Sequence, residues 1–240
     1  MSQQSIPAVL AVFVGTIALG SSLLPVLSVS AEEKPTKVLP SSSLVPEPPP
    51  EASQAAARGK KSFARLAKID KVAQDLGFVS VAEAADSNTA LGVPFAIDRL
   101  RVDLLRTFPP GGDPTSLVVF GEEFIYPVTV SGQVRSSLTV TRMSPDSTWR
   151  STAWGSSHLI RLLDQFRKSV DSSSSTFVLA IPELNRYFLG NIIGNKFLII
   201  PLRSEPKLGL KEGVPIAAEM LFIKLVGELP GSTPESHGKP

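Results

Sequence analysis

Three strand patterns followed by an amphipathic helix, over residues 124–168, constrain the fold more than any other feature of this 240-residue chain. Apolar side chains alternate along residues 124–130 and again along residues 134–140. A third strand pattern, residues 149–154, follows a Ser-Pro-Asp-Ser turn. Alternation with a period of two is typical of strands that bury one face. These residues therefore predict an antiparallel meander.

The register of the first hairpin depends on the length of its loop. A three-residue loop, 130–132, places Val128 opposite Val134 and puts Gly132 in the left-handed conformation of a G1 bulge. A two-residue loop places Val128 opposite Arg135, which pairs an apolar with a charged side chain. Because a slip of one residue moves every apolar side chain to the other face, we predict the three-residue loop.

Each set of strand patterns leads into a helix pattern. The first helix begins near Ser156 or Ser157, and the second covers residues 213–226, which are apolar nearly all round, as in a buried helix or a partner interface. Between them, residues 196–202 are continuously apolar, which favours a central strand buried on both faces. These two strand-meander-then-helix halves predict an α+β fold, with antiparallel sheet, in one or more sheets, and the helices packed on one face.

The N-terminus has a different composition. Residues 1–31 contain no charged side chain, and residues 7–27 are apolar or small. Small residues at Val29 and Ala31 predict a signal peptide cleaved after Ala31. Because the apolar run approaches the ~20 residues that cross a bilayer, a retained membrane anchor is the alternative, and a soluble apolar leader is the third. The first two place the globular part outside the cytoplasm, periplasmic, secreted or membrane-anchored.

The remaining boundaries follow composition. Residues 32–57 are rich in proline and serine and predict a linker. We expect a single α+β globular domain over residues 58–229 and a disordered tail over residues 230–240. Within the domain, residues 98–108 fit either a strand or a helix capped by Asp98.

A helix is predicted from about Ala55 to Leu76, with an apolar stripe on one face. The other face is basic, so it either binds an anionic membrane or an acidic partner, or is simply solvated. Its candidate contact residues are Lys60, Lys61, Arg65, Lys68 and Lys71.

Several chemistries are disfavoured by composition. The chain has no cysteine, which excludes disulfides and thiolate metal sites, and it has only two histidines. The net charge is +2 and no nucleic-acid motif is present, so no nucleic-acid partner is expected. Glycine-rich phosphate loops are also lacking. We predict no metal and no cofactor.

Candidate ligand-binding residues cluster around the meander. The aromatic rings could line a groove or pack in the core, and the arginines could share an open sheet face and receive an anion. The candidates are Tyr126, Arg135, Arg142, Trp149, Arg150, Trp154 and His158. No catalytic residue is assigned.

These observations favour a non-enzymatic binding or accessory protein of the cell envelope, either chaperone-like or a complex subunit. Its expected partner is an envelope protein, with possible membrane association through residues 7–27. The alternative is a hydrolase that uses His158 with a distant carboxylate.

Overall fold

The computed structural model describes residues 46–229 except residues 86, 145 and 171–173. The predicted leader, most of the predicted linker and the predicted tail lie outside the described residues. The helices are α1 (Pro50–Leu66), α2 (Asp70–Asp75), α3 (Val102–Leu105), α4 (Ser157–Ser169) and α5 (Ala218–Val226). The strands are β1 (Thr89–Leu91), β2 (Phe95–Leu100), β3 (Val118–Val119), β4 (Glu123–Val130), β5 (Gln133–Met143), β6 (Thr148–Trp154), β7 (Ser175–Ile181), β8 (Arg186–Ile193), β9 (Lys196–Pro201) and β10 (Ile216–Ala217).

The ten strands form one mixed sheet in the order β10-β9-β8-β7-β2-β4-β5-β6, while β1 pairs with β4 and β3 pairs with β2. Strands β4–β6 form one antiparallel meander and β7–β9 form another. Strand β2 joins them, because it pairs antiparallel with β4 on one side and parallel with β7 on the other. The parallel register is short, from Ile97 opposite Val178 to Arg99 opposite Ala180.

The predicted antiparallel sheet with helices on one face is wrong. One sheet face carries the larger core, which contains Phe63 of α1 and Phe222 of α5. The opposite face carries a second core, in which Leu163 of α4 packs with Phe95 and Val178. Helices lie on both faces because the central strands bury apolar side chains on both sides, and each side needs a cover.

The hairpin between β4 and β5 has a two-residue loop, so the predicted three-residue loop is wrong. Val130 pairs with Gln133, and both Ser131 (φ 49°) and Gly132 (φ 78°) have positive φ, as in a type I′ turn. The positive φ predicted for Gly132 is confirmed. A two-residue loop without a bulge would place Val128 opposite Arg135. A β-bulge at Arg135 shifts the register, so Val128 lies opposite Ser136 instead.

The first helical region also differs from its prediction. Helix α1 begins at Pro50, a favoured residue type for the first turn, and it ends at Leu66 rather than continuing to Leu76. A turn separates it from α2, where Ile69 is the N-cap. Asp98, considered as a helix cap, instead lies inside β2.

Residues 196–202 do not form a central strand. Strand β9 is next to the edge of the sheet, with only the two-residue β10 beyond it. It is nevertheless buried on both faces, because Ile199 belongs to the core under α5 and Ile200 to the core under α4. A continuously apolar strand therefore reports burial and not position in the sheet.

Among the described residues, no helix combines the length and the apolar character that crossing a bilayer requires.

Candidate functional site

A cleft of about 850 Å³ opens where β2 and β7 begin. Three parts of the chain line it: residues 46–48 before α1, the C-terminal end of α4 from Arg167, and the starts of the two strands. Its lining is mixed, with proline, serine, threonine and aliphatic side chains and one aromatic ring beside Glu47, Arg167 and Lys168. Ligand pockets in proteins commonly have volumes of about 300–1,000 Å³, so the cleft has the size of a binding site.

The cleft lies where the ladder between the two strands stops. Their register covers only Ile97–Arg99 of β2, and the preceding Phe95 and Ala96 pair with β4 along the other edge of β2. On the other strand, Ser175 and Thr176 pair with β8. Within the described residues no pairing joins these two strand starts to each other. The space between the strand starts is therefore open to a ligand.

Arg167 fixes one side of the cleft rather than offering a free charge. Its guanidinium lies 3.8 Å from the centroid of the Phe95 ring and donates to the carbonyl oxygens of Val93 (2.9 Å) and Pro94 (3.2 Å). Burial lowers the pKa of Arg167, and the nearby Asp164 carboxylate opposes this shift. The side chain thus attaches the end of α4 to the start of β2.

Asp98 is a buried carboxyl group near the same end of the molecule. Its Oδ1 accepts a hydrogen bond from the Gly121 N–H (3.1 Å), and its Oδ2 has no hydrogen-bond partner. Burial raises the pKa of Asp98 to about 7, although the Gly121 hydrogen bond partly opposes this effect. Gly121 contacts the segment before α1, since a Cβ atom at this glycine would lie 3.2 Å from Pro46 Cγ. The carboxyl group can therefore change its charge near neutral pH, within a few residues of the cleft.

The predicted aromatic residues belong to the core beneath α1. Tyr126 is buried, its hydroxyl lies 3.4 Å from Ser53 Oγ, and burial raises its pKa. Trp149 packs against Phe124 with ring centroids 5.6 Å apart. Trp154 packs against the same core, and its indole N–H is buried without a partner. These rings support the fold and do not line the cleft.

The predicted arginines do not share a face. Arg135 is paired with Glu83 at 2.8 Å, and Arg150 with Asp146 at 3.2 Å. Arg142 lies opposite Trp149, so these two side chains are on the same face of the sheet. Arg150 follows Trp149 in β6 and therefore points to the opposite face from Arg142. The meander therefore does not assemble the expected anion site.

His158 lies exposed in the first turn of α4. In the described part of the chain it has no carboxylate partner and no hydrogen-bonded serine. A hydrolase of this type needs a nucleophile hydrogen-bonded to its base. Among the described residues, His158 has no such partner.

The predicted basic residues form a second candidate surface. Lys60 donates to the Thr89 carbonyl oxygen at 2.8 Å. Three others, Lys61, Arg65 and Lys68, line one groove of about 360 Å³, and Lys71 is exposed on α2.

The described residues contain no group of three histidine, aspartate or glutamate side chains that could hold a metal ion. Sequence reasoning missed the cleft, because its lining comes from segments more than 100 residues apart, such as Glu47 and Ser175. It also missed Asp98, whose burial depends on its neighbours in the sheet. The local signal for the cleft was Pro94, just before the apolar start of β2. Proline there indicates a position at which the strand lacks a hydrogen-bonded neighbour.

Comparison of the chain with protein-family models, with curated proteins and with solved structures finds no match. The functional argument therefore rests on the cleft, the basic groove and the buried carboxyl group described above.

Proposed function

We propose that the protein is a non-enzymatic binding protein of the cell envelope, exported or membrane-tethered, that holds an extended peptide segment of a partner protein. The observation that carries this proposal is the cleft between the starts of β2 and β7.

An extended peptide suits the cleft better than a compact ligand does. Two strands begin on either side of it, and a strand start offers backbone N–H and C=O groups to a segment lying alongside. Beside its three charged side chains, the cleft is lined by small or apolar ones such as Ala96, Ser175 and Val170. They can accept alternating side chains of a peptide without a fixed sequence.

The hydrolase alternative has less support, since His158 has no carboxylate partner among the described residues. Replacing it by alanine is expected to leave peptide binding unchanged. Loss of an enzymatic activity in a folded His158→Ala variant would favour the hydrolase.

The binding proposal is tested by filling the cleft. The Ser175→Trp variant places an indole among the cleft residues, while Ser87→Trp adds the same group at an exposed position outside the cleft. Binding is measured by fluorescence anisotropy with labelled peptides that alternate valine or leucine with serine or threonine. We expect at least tenfold weaker binding for Ser175→Trp and unchanged binding for Ser87→Trp.

Two outcomes overturn the proposal: no peptide in the panel binds the wild-type protein, or Ser175→Trp binds as well as the wild type does. Thermal unfolding checks that the variant is folded. If Ser175→Trp does not fold, Val170→Trp, at the end of α4 in the same cleft, takes its place.

The envelope location is tested separately, by cell fractionation with N-terminal sequencing. A mature chain that begins at Glu32 supports a cleaved signal peptide, and an intact Met1 in the membrane fraction supports an anchor. An intact chain in the cytosol would contradict both.

A further inference from the structure

The surface formed by α1 and α2 has an excess of positive charge over residues 58–75, where five exposed bases stand beside two exposed carboxylates, Asp70 and Asp75. Its exposed bases form no ion pair with any carboxylate in the described part of the chain. They are Arg58, Lys61, Arg65, Lys68 and Lys71. By contrast, Arg135 and Arg186 in the sheet and Arg167 in α4 all have carboxylate partners. The charge of this surface is therefore available to an external anion.

Exposed aliphatic side chains interrupt the same run of bases. Leu66, the last residue of α1, is 47% exposed, and Ile69, just before α2, is 64% exposed. Both lie at the corner where one helix ends and the next begins, between Arg65 and Lys71. The corner therefore presents exposed aliphatic and basic side chains side by side.

A groove beside this corner has the same composition. Lys61, Arg65 and Lys68 line it together with four aliphatic residues. These are Ala64, Val81, Ala82 and Ala85. With a volume of about 360 Å³, the groove combines aliphatic and basic side chains, which is complementary to an aliphatic chain with an anionic head.

We propose that this basic corner, formed by Lys61, Arg65, Leu66, Lys68 and Ile69, binds the surface of an anionic lipid bilayer. The aliphatic side chains enter the headgroup region while the bases contact lipid phosphates. This contact is independent of the peptide cleft, because it uses other residues and another element of the fold. It holds the domain at the membrane whether or not residues 1–31 are retained.

A fluorescent probe at the corner tests the proposal in the full chain. The sequence has no cysteine, so a single Ile69→Cys substitution gives a unique site for an environment-sensitive label. Ile223→Cys is the matched control, since Ile223 is 55% exposed and lies on α5, at the opposite end of the sheet from α1. A probe at each position reports its own surroundings, so lipid contacts of residues 7–27 do not produce the signal.

The labelled proteins are mixed with phosphatidylcholine vesicles that contain about one third phosphatidylglycerol, a composition that gives a negative surface. We expect a blue shift and increased intensity for the label at position 69 and no change at position 223. Neutral phosphatidylcholine vesicles should give a much smaller change at position 69. Raising the salt concentration from about 0.05 M to about 0.5 M should weaken the response, since salt screens surface charge.

Two triple variants distinguish binding by the basic corner from attraction by the net charge of the protein. Replacing Lys61, Arg65 and Lys68 by glutamine should weaken partition of the labelled protein roughly a hundredfold, because each base near an anionic surface contributes about a fivefold factor. The control replaces three exposed lysines of the second meander and the loop after it, Lys196, Lys207 and Lys211, with the same change in net charge. The control should partition almost as the wild type does.

The proposal is overturned if the label at position 69 does not respond to anionic vesicles, or if positions 69 and 223 respond equally. It is also overturned if the two triple variants lose partition equally, since net charge alone would then explain binding. A response of position 69 to polyglutamate but not to vesicles would assign the corner to an acidic protein instead.

Discussion

The two meanders have the same two loop lengths but use different residues in their turns. In the first, β4 and β5 are joined by two residues and β5 and β6 by four. In the second the order is reversed, with four residues between β7 and β8 and two between β8 and β9. Each four-residue loop ends in a left-handed residue, Ser147 (φ 56°) in the first meander and Asn185 (φ 49°) in the second.

The difference lies in which residue adopts the left-handed conformation. The first meander places serine there twice, at Ser131 and Ser147, whereas the second uses Gly194 and Asn185. Glycine and asparagine tolerate positive φ better than serine does. The first meander also contains two register shifts, and the second contains none. The second meander is therefore the more regular, and the first is the one whose turns can be improved.

The largest expected effect comes from the core of the second meander. Phe177 is fully buried and its ring lies against Gly190, where a Cβ atom would be 2.4 Å from the ring. Phe177→Ala should lower the free energy of unfolding by about 3–5 kcal/mol. Gly190→Ala should lower it by about 1–3 kcal/mol, because the added methyl overfills the site.

A double-mutant cycle, measured by urea unfolding, isolates the contact between these two residues. The penalty of Gly190→Ala should disappear in the Phe177→Ala background, where the ring is absent. An equal penalty in both backgrounds would show that Gly190 is needed for the β8 backbone and not for the ring.

The next effect concerns Asp98, in the strand that joins the two meanders. Its pKa in the folded state, about 7, lies above its ordinary value of 3.8, so the folded protein favours the protonated form. The resulting stability is fully present below about pH 4 and is lost as the pH rises through about 7. As the pH is raised from 5 to 8, ionisation of Asp98 should therefore lower the free energy of unfolding by about 2–3 kcal/mol.

Urea unfolding at several pH values measures this dependence. Asp98→Asn should remove it, whereas Asp75→Asn, on exposed α2, should retain the wild-type profile. An Asp98→Asn profile parallel to that of the wild type would refute the role assigned to the carboxyl group.

The smallest effects come from the turns and test the comparison directly. Ser131→Asn and Ser147→Asn should each raise the free energy of unfolding by about 0.5–1 kcal/mol, because asparagine accepts positive φ with less strain. The reverse change in the second meander, Asn185→Ser, should lower it by a similar amount. Thermal unfolding resolves these changes, since 1 kcal/mol shifts the Tm of a domain this size by about 2–4 °C. Equal responses of both meanders to serine and asparagine would remove the distinction between them.

Local sequence patterns predicted much of the secondary structure. Alternation placed the strands near residues 124–130, 134–140 and 149–154, and the observed strands are Glu123–Val130, Gln133–Met143 and Thr148–Trp154. Gly132 was predicted to have positive φ because the turn requires it. The hairpin register was wrong, since the pattern contains no signal for a bulge at Arg135.

Long-range arrangement was beyond the sequence. The apolar stripe of α4 indicates that one side of the helix is buried, but not which face of the sheet covers it. The parallel pairing of β2 with β7 leaves no local mark, because β2 would read the same beside an antiparallel neighbour. The cleft could not be predicted for the same reason, since it exists only where that pairing stops. The candidate aromatic residues were placed on the right strands, but the sequence did not show that α1 covers them.

The pairing of β2 with β7 also has a consequence during synthesis. Ile97 lies opposite Val178, a residue made 81 positions later. Until β7 emerges from the ribosome, one edge of β2 has no neighbour, while β4, β5 and β6 can already pair among themselves. Contacts between residues so distant in the chain form late and slow folding. The growing chain therefore exposes one unpaired edge of β2 while the next 81 residues are made, a stage at which incorrect pairing between chains is favoured.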